Sequence, residues 1–154
     1  MMDSKIERSP VQGSSTSKRS SIFYWIAAII ALLGLADATF LTVAHLTGDD
    51  AVCGSMAGCS TVLGSKYAAI HGIPTAAFGA FAYFTVFSLA ILVAFGYRQM
   101  RPFLAVLVGA MFIASLYFLY LQAFVLHAFC PFCLFSAAMT FLLAGLLVVL
   151  PATD

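Results

Sequence analysis

The chain carries four cysteines set as two pairs, Cys53-x5-Cys59 and Cys130-Pro131-Phe132-Cys133. Two cysteines separated by two residues at the start of a helix can close a small disulfide, and the helix N-terminus favours the thiolate that attacks or leaves. Pro131 suits the first helical turn, where its missing donor has no partner to lose. Leu134, not His, follows Cys133, which argues against covalent c-type haem attachment. By itself the motif is also compatible with a structural disulfide or with half of a metal site. The second pair adds to the redox reading. Gly54 and Gly58 flank the segment between Cys53 and Cys59 and give it freedom to move. Thiol–disulfide exchange proceeds through a mixed disulfide, so two dithiols in series make a relay. A static bridge across the loop and a zinc site of four sulfurs are the alternatives, and the second lacks a His at the usual close spacing.

The elements that must position these cysteines lie in a membrane. The 154 residues are 63% hydrophobic and 8% charged, with a mean hydropathy of +1.06, too apolar for a soluble domain of this length. A net charge of +1 and no basic stripe interleaved with aromatics beyond the N-terminal tail give no sign of nucleic-acid binding. Residues 22–46 hold one ionised group, Asp37, and residues 74–96 hold none; from Pro102 to Thr153 there is no Lys, Arg, Asp or Glu. That last run exceeds twice the roughly 20 residues a helix needs to cross the hydrocarbon. It must hold two spans, with the break at His127, Cys130 and Pro131. The expected fold is an all-α integral membrane protein, a four-helix transmembrane bundle with spans at about 22–46, 74–96, 102–127 and 131–150.

Of the seven Lys and Arg residues, only Lys66 lies in the 47–73 loop, whereas Lys5, Arg8, Lys18 and Arg19 precede the first span and Arg98 and Arg101 separate the second from the third. This bias places both termini in the cytoplasm and all four cysteines on the outer side, where a bacterial inner membrane faces an oxidising periplasm. Ala36-Asp37-Ala38 superficially resembles a signal-peptide cleavage site, but the apolar stretch runs on through Phe40-Leu41-Thr42-Val43-Ala44. Residues 1–21 read as a disordered cytoplasmic tail, and 22–150 as one membrane domain. After Cys59, the recurrence of Leu63, Tyr67 and Ile70 predicts a short interfacial helix between the first and second spans, with Lys66 snorkelling. Asp37, about halfway along its span, is expected to lie far from the cysteines, and His45, His71 and His127 near the outer interface.

Three stretches carry a resemblance: Cys53-x5-Cys59-Ser60; Val62-Leu63-Gly64-Ser65-Lys66-Tyr67 running into Gly72-Ile73-Pro74; and Ser115-Leu116-Tyr117 followed by Cys130-x2-Cys133. In this order the set resembles the bacterial homologues of vitamin K epoxide reductase, over roughly residues 22–150. The resemblance implies a bundle around a bound quinone. Cys133 resembles the cysteine facing the quinone, Cys130 the one that receives electrons from the loop, and Cys53 and Cys59 the shuttle pair fed by a thioredoxin-fold protein. Many bacterial members carry that thioredoxin domain fused at the C-terminus. The sequence given stops at Asp154, so the expected partner is a separate, DsbA-like periplasmic protein. Thr75 holds the position resembling that of a quinone-bonding Asn in the vertebrate enzyme, and Ala137 the position resembling that of a nearby Tyr. These departures point to a plain membrane quinone, ubiquinone or menaquinone. The expected quinone contacts are Ser65, Thr75, Phe78, Phe132 and Cys133, and no metal is expected.

The implied activity is a quinone-dependent membrane thiol oxidase that reoxidises the DsbA-like protein and so supports disulfide bond formation. A DsbA-type oxidant sits near about −120 mV, so its own oxidant must be stronger still, as a quinone is. One alternative is a DsbB-type disulfide former, but its CxxC belongs to the first external loop, whereas Cys130 and Cys133 follow the third span. The others are a membrane metal-binding or transport protein using the four thiolates, and a structural protein with two fixed disulfides.

Overall fold

The structure, a computed structural model, describes residues 13–48 and 57–150. Cys53 and Gly54 lie outside the described residues. Helix α1 runs Gly13–Thr47, α2 Ala57–Leu63, α3 Thr75–Ala94, α4 Arg101–Tyr120 and α5 Pro131–Val149. A turn of 3-10 helix at Arg98–Met100 leads into α4, and a π-helical turn at Leu121–Val125 ends it. Lys18–Thr47, Thr75–Ala94, Arg98–Val125 and Pro131–Val149 are each long and apolar enough to cross a membrane. The chain is a multi-pass membrane protein with the expected all-α architecture.

Helix α1 packs chiefly on α3 and also on α5; α4 packs on α5 and α3. Lipid offers no hydrophobic force between helices, so close contact depends on small residues. Helix α1 supplies them as Ala27, Ala31, Gly34 and Ala38, which face Tyr83, Val86 and Ala90 of α3 in one core cluster. At Gly34 the approach is so close that a Cβ would overlap the Tyr83 ring. Leu104 and Val108 of α4 and Leu143 of α5 complete the buried centre. The opposite faces expose Ile29, Phe81, Val106 and Val148, the arrangement a lipid solvent favours.

Two elements differ from the sequence-based expectation. Helix α1 already begins at Gly13, within the stretch read as a disordered tail. The polar residues there have little hydrophobicity of their own, but extending an established helix adds hydrogen bonds without a new nucleation cost. The interfacial helix is also shorter and earlier than the Leu63, Tyr67, Ile70 spacing predicts. It contains Cys59 and ends at Leu63, where Gly64 N–H bonds Ser60 O and the Ser65 hydroxyl bonds Val62 O. Ala69–Ile70 (β1) and Ile73–Pro74 (β2) then pair antiparallel. Their two-residue turn has His71 at φ 51° and Gly72 at φ 83°, the double positive φ that suits a tight hairpin.

Candidate redox site

Helix α5 starts at Pro131, so Cys130 occupies its N-cap with an extended backbone, φ −94° and ψ 119°. The first-turn N–H groups of a helix have no intrahelical acceptor. At Cys130 the sulfur takes that place. Its ordinary pKa of 9.0 is drawn down to about 7, first by the hydrogen bond from the Cys133 thiol and further by the backbone N–H groups of Cys133 and Phe132, with burial and the negative charge of Asp37 opposing. Cys130 and Cys133 are free thiols, and Cys59 is disulfide-bonded.

The two pairs meet through α2. Cys59 and Cys130 are both 0% exposed and form one buried cluster, packed round by Val62, Leu63, Phe132 and Cys133. Gly58 is what lets α2 come this close. A Cβ on it would overlap the carbonyl oxygen of Phe129, the residue before Cys130. The sequence suggests flexibility at this glycine. In the fold it is instead the flat face on which a short helix docks.

Cys133, one turn into α5, opens on a cavity of about 490 Å³ inside the cysteine end of the bundle. All four long elements line it, with Leu41 and His45 from α1, Tyr83 from α3, Met111 and Phe118 from α4 and Ser136 and Thr140 from α5. Of the residues expected to contact quinone, Ser65, Thr75, Phe78 and Cys133 line this cavity. Phe132 does not stand in the lining; its ring packs on Phe40 with centroids 5.3 Å apart. The Thr75 hydroxyl donates to Ala68 O, with Tyr67 O 3.2 Å away, and the Ser65 hydroxyl donates to Val62 O at 2.8 Å, so both tie the loop together. Ala137 also lines the cavity. Nearby, the buried phenol of Tyr83 donates to Ser136 O at 2.6 Å and lies 2.9 Å from the Thr140 hydroxyl.

Residues 25–148 match the family model described as the vitamin K epoxide reductase family. The chain belongs to that family. It is 34% identical over 116 residues to the thiol-disulfide oxidoreductase LTO1 of Arabidopsis thaliana, an alignment that covers 70% of this chain and 31% of that protein. The chain therefore spans about a third of the length of that curated relative. In this vitamin K epoxide reductase-family domain the histidines divide: His45 is on the cavity wall, while His71 and His127 stand outside its lining. The negative charge of Asp37 acts on Cys130, opposing its thiolate. The Asp37 Oδ2 is buried without a hydrogen-bond partner among the described residues.

Sequence reasoning missed Gln122 and Tyr83, both buried and both on the cavity wall. A signal for Gln122 existed: it is the lone side-chain amide in the uncharged run from Pro102 to Thr153. Tyr83 had none, being one aromatic residue in a helix rich in them.

Proposed function

We propose that this vitamin K epoxide reductase-family protein is a quinone-dependent membrane thiol oxidase that takes electrons from a thioredoxin-fold, DsbA-like protein. The name of the Arabidopsis relative, a thiol-disulfide oxidoreductase, supports the thiol half of this reading. The observation that carries the whole is the contiguity of the sulfurs: Cys59 and Cys130 form one buried cluster, Cys133 packs against it, and Cys133 opens on the cavity.

The relay runs in balanced exchanges. A partner dithiol reduces the Cys53–Cys59 disulfide and is itself oxidised. Because Cys59 is buried beside Cys130, Cys53 is the cysteine that meets the partner. The Cys59 thiolate then attacks Cys130 in the Cys130–Cys133 disulfide, releasing Cys133. Cys53 attacks Cys59 in the resulting mixed disulfide and releases Cys130, whose lowered pKa makes it a good leaving group. The loop disulfide is restored and the CxxC is left reduced.

The cavity fits a quinone head. It falls within the roughly 300–1,000 Å³ of small-molecule sites, and its lining is mostly apolar with a few polar groups, as such sites require. A quinone bound there would supply an acceptor for the two electrons and two protons that the two thiols give up when they become a disulfide. Cys133 on the wall passes the electrons on, and Cys130 closes the bond with it. The Lys and Arg bias supports an orientation with both termini cytoplasmic and this end of the bundle outside, the periplasmic side if the membrane is a bacterial inner membrane.

The test is to mix the purified protein with a reduced thioredoxin-fold partner and follow quinone absorbance. Wild type reduces ubiquinone or menaquinone, and Cys59→Ala and Cys133→Ala abolish turnover. Retained turnover in Cys133→Ala would sink the assigned roles.

A further inference from the structure

Gln122 is 3% exposed and stands in the π-helical turn that ends α4. Such turns shift helical register and often mark functional sites. Its side-chain oxygen accepts the backbone N–H of Cys130 at 2.9 Å. An N–H can only donate, so the atom facing Cys130 must be the oxygen, and the amide NH2 points away from it. Gln122 lines the same cavity as Cys133, and its NH2 has no acceptor among the described residues. A donor without an acceptor in a mostly apolar cavity is unfavourable, so an acceptor arriving there finds a donor already in place.

We propose that the Gln122 amide donates a hydrogen bond to a carbonyl oxygen of the quinone beside Cys133, an inference that rests on the quinone reading above. A quinone oxygen only accepts, so the site must offer donors. Each hydroxyl has one hydrogen to give, and several on the wall are already committed: Ser65 to Val62 O, Thr75 to Ala68 O and Tyr83 to Ser136 O. Gln122 has two hydrogens uncommitted and a side chain locked by its bond to Cys130. It therefore sets quinone orientation and CxxC geometry together. Its donor also withdraws electron density from the carbonyl, which favours arrival of the electrons that Cys133 supplies.

The test uses the full chain in nanodiscs with short-chain ubiquinone and menaquinone, reading equilibrium affinity and the infrared stretch of the bound carbonyls. Wild type binds quinone with one carbonyl band shifted down by hydrogen bonding. Gln122→Met, which keeps volume and polarisability, and Gln122→Leu each weaken binding about tenfold, equivalent to about 1.4 kcal/mol, and return that band toward its free position. In wild-type protein labelled with nitrogen-15 at glutamine, quinone also shifts the side-chain amide signal of Gln122, a readout that needs no variant. An unchanged amide signal, or an unchanged band and affinity in the variants, overturns the role of Gln122. Wild type that binds neither quinone overturns the quinone reading itself.

Discussion

Cys130 shows how one residue obtains its chemistry from its position. Its sulfur receives the Cys133 thiol and two N–H groups of the first turn of α5, and the net effect outweighs its burial. The sign of the pH dependence follows: below about 7 the sulfur is protonated, and above it the thiolate dominates. In a reduced variant carrying Cys53→Ala and Cys59→Ala, the ultraviolet absorbance of the thiolate should rise with a midpoint near pH 7. Adding Cys130→Ala should remove that transition. A midpoint at the ordinary thiol value would show that the helix terminus and Cys133 do not act on Cys130 as described.

Among the α-helices, α2 is the shortest and the one that brings Cys59 to Cys130. A helix of seven residues has little stability alone. Its place depends on Leu63, Val62 and Cys59 packing over Cys130 and on the bare face of Gly58 against Phe129. Gly58→Ala forces a Cβ onto the Phe129 carbonyl, an overpacking that costs about 1–3 kcal/mol. The effect should fall on docking of α2 and not on the bundle. The expected outcome is electron transfer from the loop pair to Cys130–Cys133 slowed about tenfold or more, measured by stopped-flow mixing, with thermal stability near wild type. Unchanged transfer would mean that the α2 contact is not the path.

At the scale of the whole molecule, the bundle closes because α1 presents small residues to α3. Gly34→Leu would drive a side chain into the Tyr83 ring, which is 1% exposed and bonded to Ser136 and Thr140 across the bundle. The cost of such overpacking, about 1–3 kcal/mol or more, should appear as a lower midpoint of thermal unfolding in detergent, whereas Ile29→Leu on the lipid face should leave it unchanged. The four spans were legible in the sequence because a bilayer admits few ways to bury a backbone, so length and the absence of charge between Pro102 and Thr153 decided them. The cysteines were legible as candidates, since few residue types do this chemistry, and the helix start at Pro131 was legible with them. Local periodicity misplaced α2, because hydrogen bonds at Gly64 and Ser65 and the hairpin at His71-Gly72 overrode the apolar spacing from Leu63 to Ile70. What only the tertiary structure decided was adjacency: Cys59 against Cys130, Asp37 within electrostatic reach of the pair, and Gln122 turned inward to hold Cys130. A sequence reports each residue's chemistry and its nearest neighbours along the chain. Which side chains share a wall depends on helix rotation and packing, and those are set by contacts between residues far apart in the chain.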